Sequence, residues 1–204
     1  EDTVRAVKEW GADEVSLLPL YPQFSPTTTA SSVRVWNTTA RKIGLQVPQR
    51  SVCCYPDEAG FITALADVAA DAIAKARAAV PDQAPAIIFS AHGLPQKIVD
   101  AGDPYVAQVE ATVAAVAATL GLDPATYQIA YQSRVGPLKW VGPATDETIV
   151  AAAKAGKDVQ NEVLYAVVAG FEPVTLPDSH FQDLWRALHV HNRLFQSEGK
   201  MRYG

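Results

Sequence analysis

At 204 residues, 49% of them apolar, the chain is long enough to bury a substantial core. Its 17 Lys and Arg against 22 Asp and Glu leave a formal net charge of −5, which argues against nucleic acid as a partner, because phosphate backbones call for clustered cations. No apolar run approaches the roughly 20 residues that cross a bilayer, although this leaves peripheral contact with a membrane surface open. In chain order, residues 2–10 have helical spacing, with Val4, Val7 and Trp10 on one face. Gly11 stops that helix, and residues 15–20 then read as a buried strand. Residues 25–43 form a second predicted helix, opened by Ser/Thr capping chemistry and closed by Gly44. A second strand is expected over 47–54, and a long Ala-rich helix over 58–80 with Phe61, Leu65, Val68 and Ile73 near one face. A third strand spans 86–90. Pro104 then sits where a missing N–H costs nothing, at the start of a helix running to about Leu120. Residues 127–132 form the fourth strand, 146–155 a helix stopped by Gly156, and 163–169 a fifth strand.

Strands that alternate with helices of ten residues or more require crossover connections, so the expected class is α/β with one mostly parallel sheet. Glu1 is not a methionine, Met201 is the sole methionine, and the chain opens on a helix rather than a strand. The expectation is therefore that an N-terminal portion precedes this stretch. Cys53 and Cys54, the two cysteines, are too few and too close for a disulfide framework. They read as reduced thiols on a buried strand of a cytosolic protein. A vicinal pair can bind a soft metal, but two ligands do not close a site.

Nucleotide chemistry finds no support. There is no Gly-x-Gly-x-x-Gly after a strand and no Gly-x-x-x-x-Gly-Lys-Ser/Thr loop, and the Gly-x-Ser-x-Gly elbow of hydrolases is also missing. Gly136-Pro137 and Gly142-Pro143 form turns, but proline removes the N–H a phosphate would use. The more informative stretch is Ile87-Ile88-Phe89-Ser90-Ala91-His92-Gly93-Leu94-Pro95. Here an apolar run stops at His92, the first of four histidines and the only one before His180. Open α/β sheets place ligand chemistry at the carboxyl ends of their strands. By pattern alone, His92 suits imidazole chemistry or a hydrogen-bonded turn.

The segment 87–105, closed by Asp100-Ala101-Gly102-Asp103-Pro104-Tyr105, resembles the signature of the ferrochelatase family. Leu18-Pro19-Leu20-Tyr21-Pro22-Gln23-Phe24-Ser25 resembles a loop of that family's first half. Tyr131-Gln132-Ser133-Arg134-Val135-Gly136-Pro137-Leu138-Lys139-Trp140 resembles its second block. The resemblance implies a Rossmann-like, chelatase-type parallel sheet flanked by helices. Residues 1–44 would be the end of the first half, 45–170 the second half, and 171–204 a divergent tail. It implies insertion of ferrous iron into a porphyrin, with His92 as catalytic base and metal contact. Tyr21, Tyr131, Gln132, Ser133, Arg134 and Trp140 would bind substrate, with Lys139 also available to its carboxylates.

The pattern alone leaves Trp140 and Tyr21 open to a packing role and Arg134 open to being a solvated charge. His92 is expected to face a concavity, with Trp140 and Tyr131 on its side of the sheet. The family's His-x-Glu partner is lacking in Val167-Val168-Ala169-Gly170-Phe171-Glu172-Pro173-Val174, where Glu172 is the candidate substitute. A non-catalytic tetrapyrrole-binding protein or an inactive fragment is the alternative. No cofactor is required, and an iron–sulfur cluster is not expected, because two cysteines cannot supply four thiolates. His189 and His191 in the tail point to different faces of a helix, so an amphipathic helix is favoured there over a metal pair.

Overall fold

The computed structural model describes residues 2–79, 81–82, 84–134 and 136–155. Helix α1 (Asp2–Trp10) lays Val4 against α2 (Thr29–Ile43), where Val4, Ala40 and Leu45 form a small core. Trp10, expected on the same face, is 83% exposed. Between these helices lies β1 (Val15–Leu17), which pairs in parallel with β2 (Gln49–Ser51), Val15 opposite Gln49 and Leu17 opposite Ser51. Both strands are shorter than their apolar patterns suggested. Pro19 and Pro22 follow β1 and Pro48 precedes β2, and proline has no N–H to give to a ladder. Cys53 and Cys54 consequently fall beyond β2, Cys53 exposed and Cys54 half-buried, rather than on a buried strand. Helix α2 closes at Gly44 (φ 68°), whose left-handed backbone lets its N–H reach back to the Ala40 and Arg41 carbonyls.

The larger core forms where α3 (Ala59–Ala79) and α5 (Tyr105–Thr119) pack on one face of β3 (Ile87–His92) and β4 (Tyr127–Gln132). Strand residues alternate between faces. Ile87, Phe89 and Ala91 therefore join Tyr127, Ile129 and Tyr131 beneath Val109, Val113 and Val116, with Phe89 and the three valines fully buried. Helix α3 contributes Ile62, Leu65, Ala66, Ala69 and Ile73 to this core, while Val68 is 43% exposed because it falls off that stripe. The other face of the strands is covered by α6 (Thr145–Lys154), and the Ser90 and Thr145 hydroxyls hydrogen-bond at 2.8 Å. A short helix, α4 (Gln96–Asp100), and a one-turn 3-10 helix (Pro124–Thr126) complete the described elements.

The architecture is α/β with parallel strands flanked by helices. Among the described residues, however, the strands form two separate two-stranded sheets, β1–β2 and β3–β4, rather than one. Each is closed by a helical crossover, α2 in the first and α4–α5 in the second. The β1–β2 pairing straddles position 44, so the break between the sheets falls between Ser51 and Ile87. The fifth predicted strand, 163–169, and the tail, 171–204, lie outside the described residues.

Candidate active site at the ends of two parallel strands

His92 is the last residue of β3 and stands opposite Gln132, the last residue of β4. The chain then turns sharply. Gly93 donates its N–H to the Gln132 carbonyl at 2.8 Å. A Cβ at Gly93 would lie 2.9 Å from that oxygen, 3.4 Å from the Trp140 ring and 3.8 Å from Arg134 Cγ. Only glycine allows so close an approach without a backbone shift. Beyond the turn, Val141 donates to Leu94 at 2.9 Å and Gln96 donates to Lys139 at 2.8 Å, so residues 94–96 and 139–141 run as a small antiparallel clasp around the Pro95–Trp140 bridge. Ser133, directly after β4, has φ 63°. A non-glycine residue in the left-handed region carries a conformational cost and tends to occur at functional sites.

His92 is exposed, yet enough protein surrounds the ring to desolvate its charged form and hold its pKa below the ordinary value. The imidazole is thereby kept in the neutral state that accepts protons and binds divalent metals. Two surface hollows, one lined by Arg34, Asn37, Arg41 and Gln49, the other by Asp146, Glu147, Val150 and Lys154, do not include it. The Arg134 guanidinium lies 3.9 Å from the Glu147 carboxylate, both substantially exposed, a geometry that leaves the arginine weakly held.

His92, Gln132, Ser133, Arg134 and Trp140 are brought together at one end of the β3–β4 pair. Tyr131 is placed differently from its expected side. It pairs with Ala91, so the pleat turns its ring away from His92 and into the α3–α5 core, where it is 3% exposed. Burial, with a further contribution from Glu110, pushes its phenol up to about 12. Tyr21 is 51% exposed on the loop after β1. Glu172 lies outside the described residues, as do His180, His189 and His191.

Three residues without an assigned role in the sequence reading tie this site together. The Asp103 carboxylate, 8% exposed, accepts the Ser25 hydroxyl at 2.6 Å and the Tyr105 N–H at 2.9 Å. The Tyr105 phenol reaches the His92 backbone. Its pKa is pushed up to about 12, chiefly by burial and also by Tyr131 and Asp103, with the His92 contact opposing. Ser25, expected to open a helix, is 1% exposed and belongs instead to this seam. Helix α2 begins only at Thr29. Gln23 donates to Thr112 at 2.9 Å and the Phe24 N–H donates to Gln108 at 2.7 Å, so the end of the 18–25 loop is clamped onto α5. The sequence signal for this was present in Gly102-Asp103-Pro104-Tyr105, but its partner lies 78 positions away. Among the described residues, no three His, Cys, Asp or Glu side chains gather into a metal centre.

The ferrochelatase family model matches residues 1–169. A ferrochelatase of Rickettsia bellii is 45% identical over 159 residues, 78% of this chain and 42% of that protein. Ferrochelatases of Phenylobacterium zucineum and Caulobacter vibrioides are 42% and 41% identical over 199 and 203 residues, covering 98% and 100% of this chain and 53% and 54% of theirs. The chain thus spans about half the length of the relatives it matches. A match of this extent shows that the chain belongs to the ferrochelatase family.

Proposed function

We propose that the protein inserts ferrous iron into a dicarboxylate or tetracarboxylate porphyrin, a step of haem biosynthesis. The observation that carries this reading is His92, neutral and exposed at the carboxyl end of β3 within a turn that only Gly93 can make. Metallation replaces two pyrrole N–H protons with one divalent ion. A neutral imidazole at the ring centre takes one proton and can contact the incoming metal. Glu172 is our candidate for the second proton-accepting group.

A porphyrin is flat and apolar with anionic margins, so it calls for an aromatic wall and a few cationic partners. Trp140, held against Gly93, supplies the wall, and Arg134 and Lys139 are the cations for the carboxylates. Gln132, Ser133 and Tyr21 complete the proposed substrate-binding set, while Tyr131, buried in the α3–α5 core, is left out of it. The chemistry asks for no resident cofactor. The two cysteines within these 204 residues fall short of the four thiolates of a cluster. No described helix is long and apolar enough to cross a membrane. A cytoplasmic location belongs to the same proposal. The test is anaerobic mixing of the protein with a free-base porphyrin and ferrous iron. Turnover to the metalloporphyrin spectrum is expected, and a shifted porphyrin band without metallation would overturn the proposal.

A further inference from the structure

Cys53 and Cys54 are absorbed by nothing above. Their sulfurs lie 2.9 Å apart, and the Cys54 sulfur faces the Gln108 amide at 3.7 Å. The pair sits at a junction. Tyr55 N–H donates to Pro22 at 2.8 Å, Tyr55 hydroxyl to Pro19 at 3.2 Å, and Thr112 hydroxyl to Pro56 at 2.6 Å, so the segment after β2 is stitched to both the 18–25 loop and α5. Gln108 belongs to the same junction, since its side-chain oxygen accepts the Phe24 N–H at 2.7 Å while its nitrogen approaches Cys54.

We propose that Cys53 and Cys54 form a two-thiolate binding site for trivalent arsenicals and chemically similar thiophilic centres, and that occupancy loosens the clamp on the 18–25 loop. Direct oxidation is disfavoured by geometry. Neighbouring Cα atoms are about 3.8 Å apart, whereas disulfides span about 4.4–6.8 Å. A dithiol denied its own disulfide remains available to bridge a third atom, and the short sulfur separation suits a centre that takes both thiolates on one side. Two thiols with an arsenoso group, R–As=O, give R–As(S–Cys)2 and one water; the two thiol protons leave with the oxygen, and no electron is transferred. The arsenical brings its own third substituent, which answers the objection that two protein ligands do not close a site. Two bonds to one arsenic hold their sulfurs farther apart than 2.9 Å, so loading shifts the Cys54 sulfur from its place against Gln108, the residue that holds Phe24.

The experiment titrates the protein with phenylarsine oxide and counts free thiols, with no metallation assay involved. One equivalent should block both thiols, survive excess monothiol and be removed by a dithiol. Cys53→Ser and Cys54→Ser should each weaken binding by about 100-fold, the loss expected when a chelate becomes a single attachment. Cys53 is exposed, so Cys53→Ser keeps the test available even if Cys54→Ser disturbs folding. Amide exchange at Phe24 should rise about tenfold on loading, which corresponds to a lost local hydrogen bond. Single variants that bind as tightly as the parent would overturn the site, and unchanged Phe24 exchange would overturn the coupling.

Discussion

At the residue scale, the account turns on how one imidazole and one glycine are held. Desolvation lowers the His92 pKa, so the neutral form persists to a pH below the ordinary histidine midpoint of about 6.5. Metallation should therefore lose kcat/KM on the acid side with a midpoint below about 6.5. A pH profile of zinc insertion checks this, and an acid limb centred above that value would count against His92 as the base. Gly93 is constrained by space, because a Cβ there meets the Gln132 carbonyl at 2.9 Å. Gly93→Ala should destabilise the fold by about 1–3 kcal/mol in urea titrations and alter the fluorescence of Trp140, whose ring borders the same gap. An unchanged unfolding midpoint would show that the strand exits separate easily.

At the element scale, helices and the β4 strand were legible in local pattern, whereas what joins them was not. Residues 127–132 emerged as a strand with the observed bounds and residues 2–10 as a helix, because apolar spacing and the stop signal Gly11 are local. Helix α4, five residues between Pro95 and Gly102, is too short to show a period. The side on which Tyr131 falls follows from its pairing with Ala91, a register that spacing does not contain. The same limit hid the Ser25–Asp103 bond, which joins the loop after β1 to the start of α5. Asp103→Asn should cost about 1.5–3 kcal/mol, since a buried carboxylate that accepts two hydrogen bonds is replaced by an amide that must donate with one of its arms. Its clearest signature should be faster amide exchange across residues 21–25. Exchange confined to its parental rate would mean that the loop is held by Gln23 and Phe24 alone.

At the scale of the whole molecule, the β3–β4 pair is buried between α3 and α5 on one face and α6 on the other, and its carboxyl end carries the candidate site. Phe89 stands at the centre, fully buried and edge-on to Tyr127 with ring centroids 5.4 Å apart. Phe89→Ala should cost about 3–5 kcal/mol, read as a drop in the urea midpoint at unchanged slope. The signature motif pointed to His92, which the structure places at the carboxyl end of β3. Trp140 borders the Gly93 turn while Tyr131 is turned into the core, because strand parity, not proximity in sequence, decides which face a strand residue takes. The most direct test of the central claim is an anaerobic comparison of ferrous iron insertion by the parent protein and by His92→Gln, with porphyrin binding followed in parallel by fluorescence quenching. The account predicts that the variant binds porphyrin like the parent and metallates it at least about 100-fold more slowly. Metallation by His92→Gln within a few-fold of the parent would contradict it.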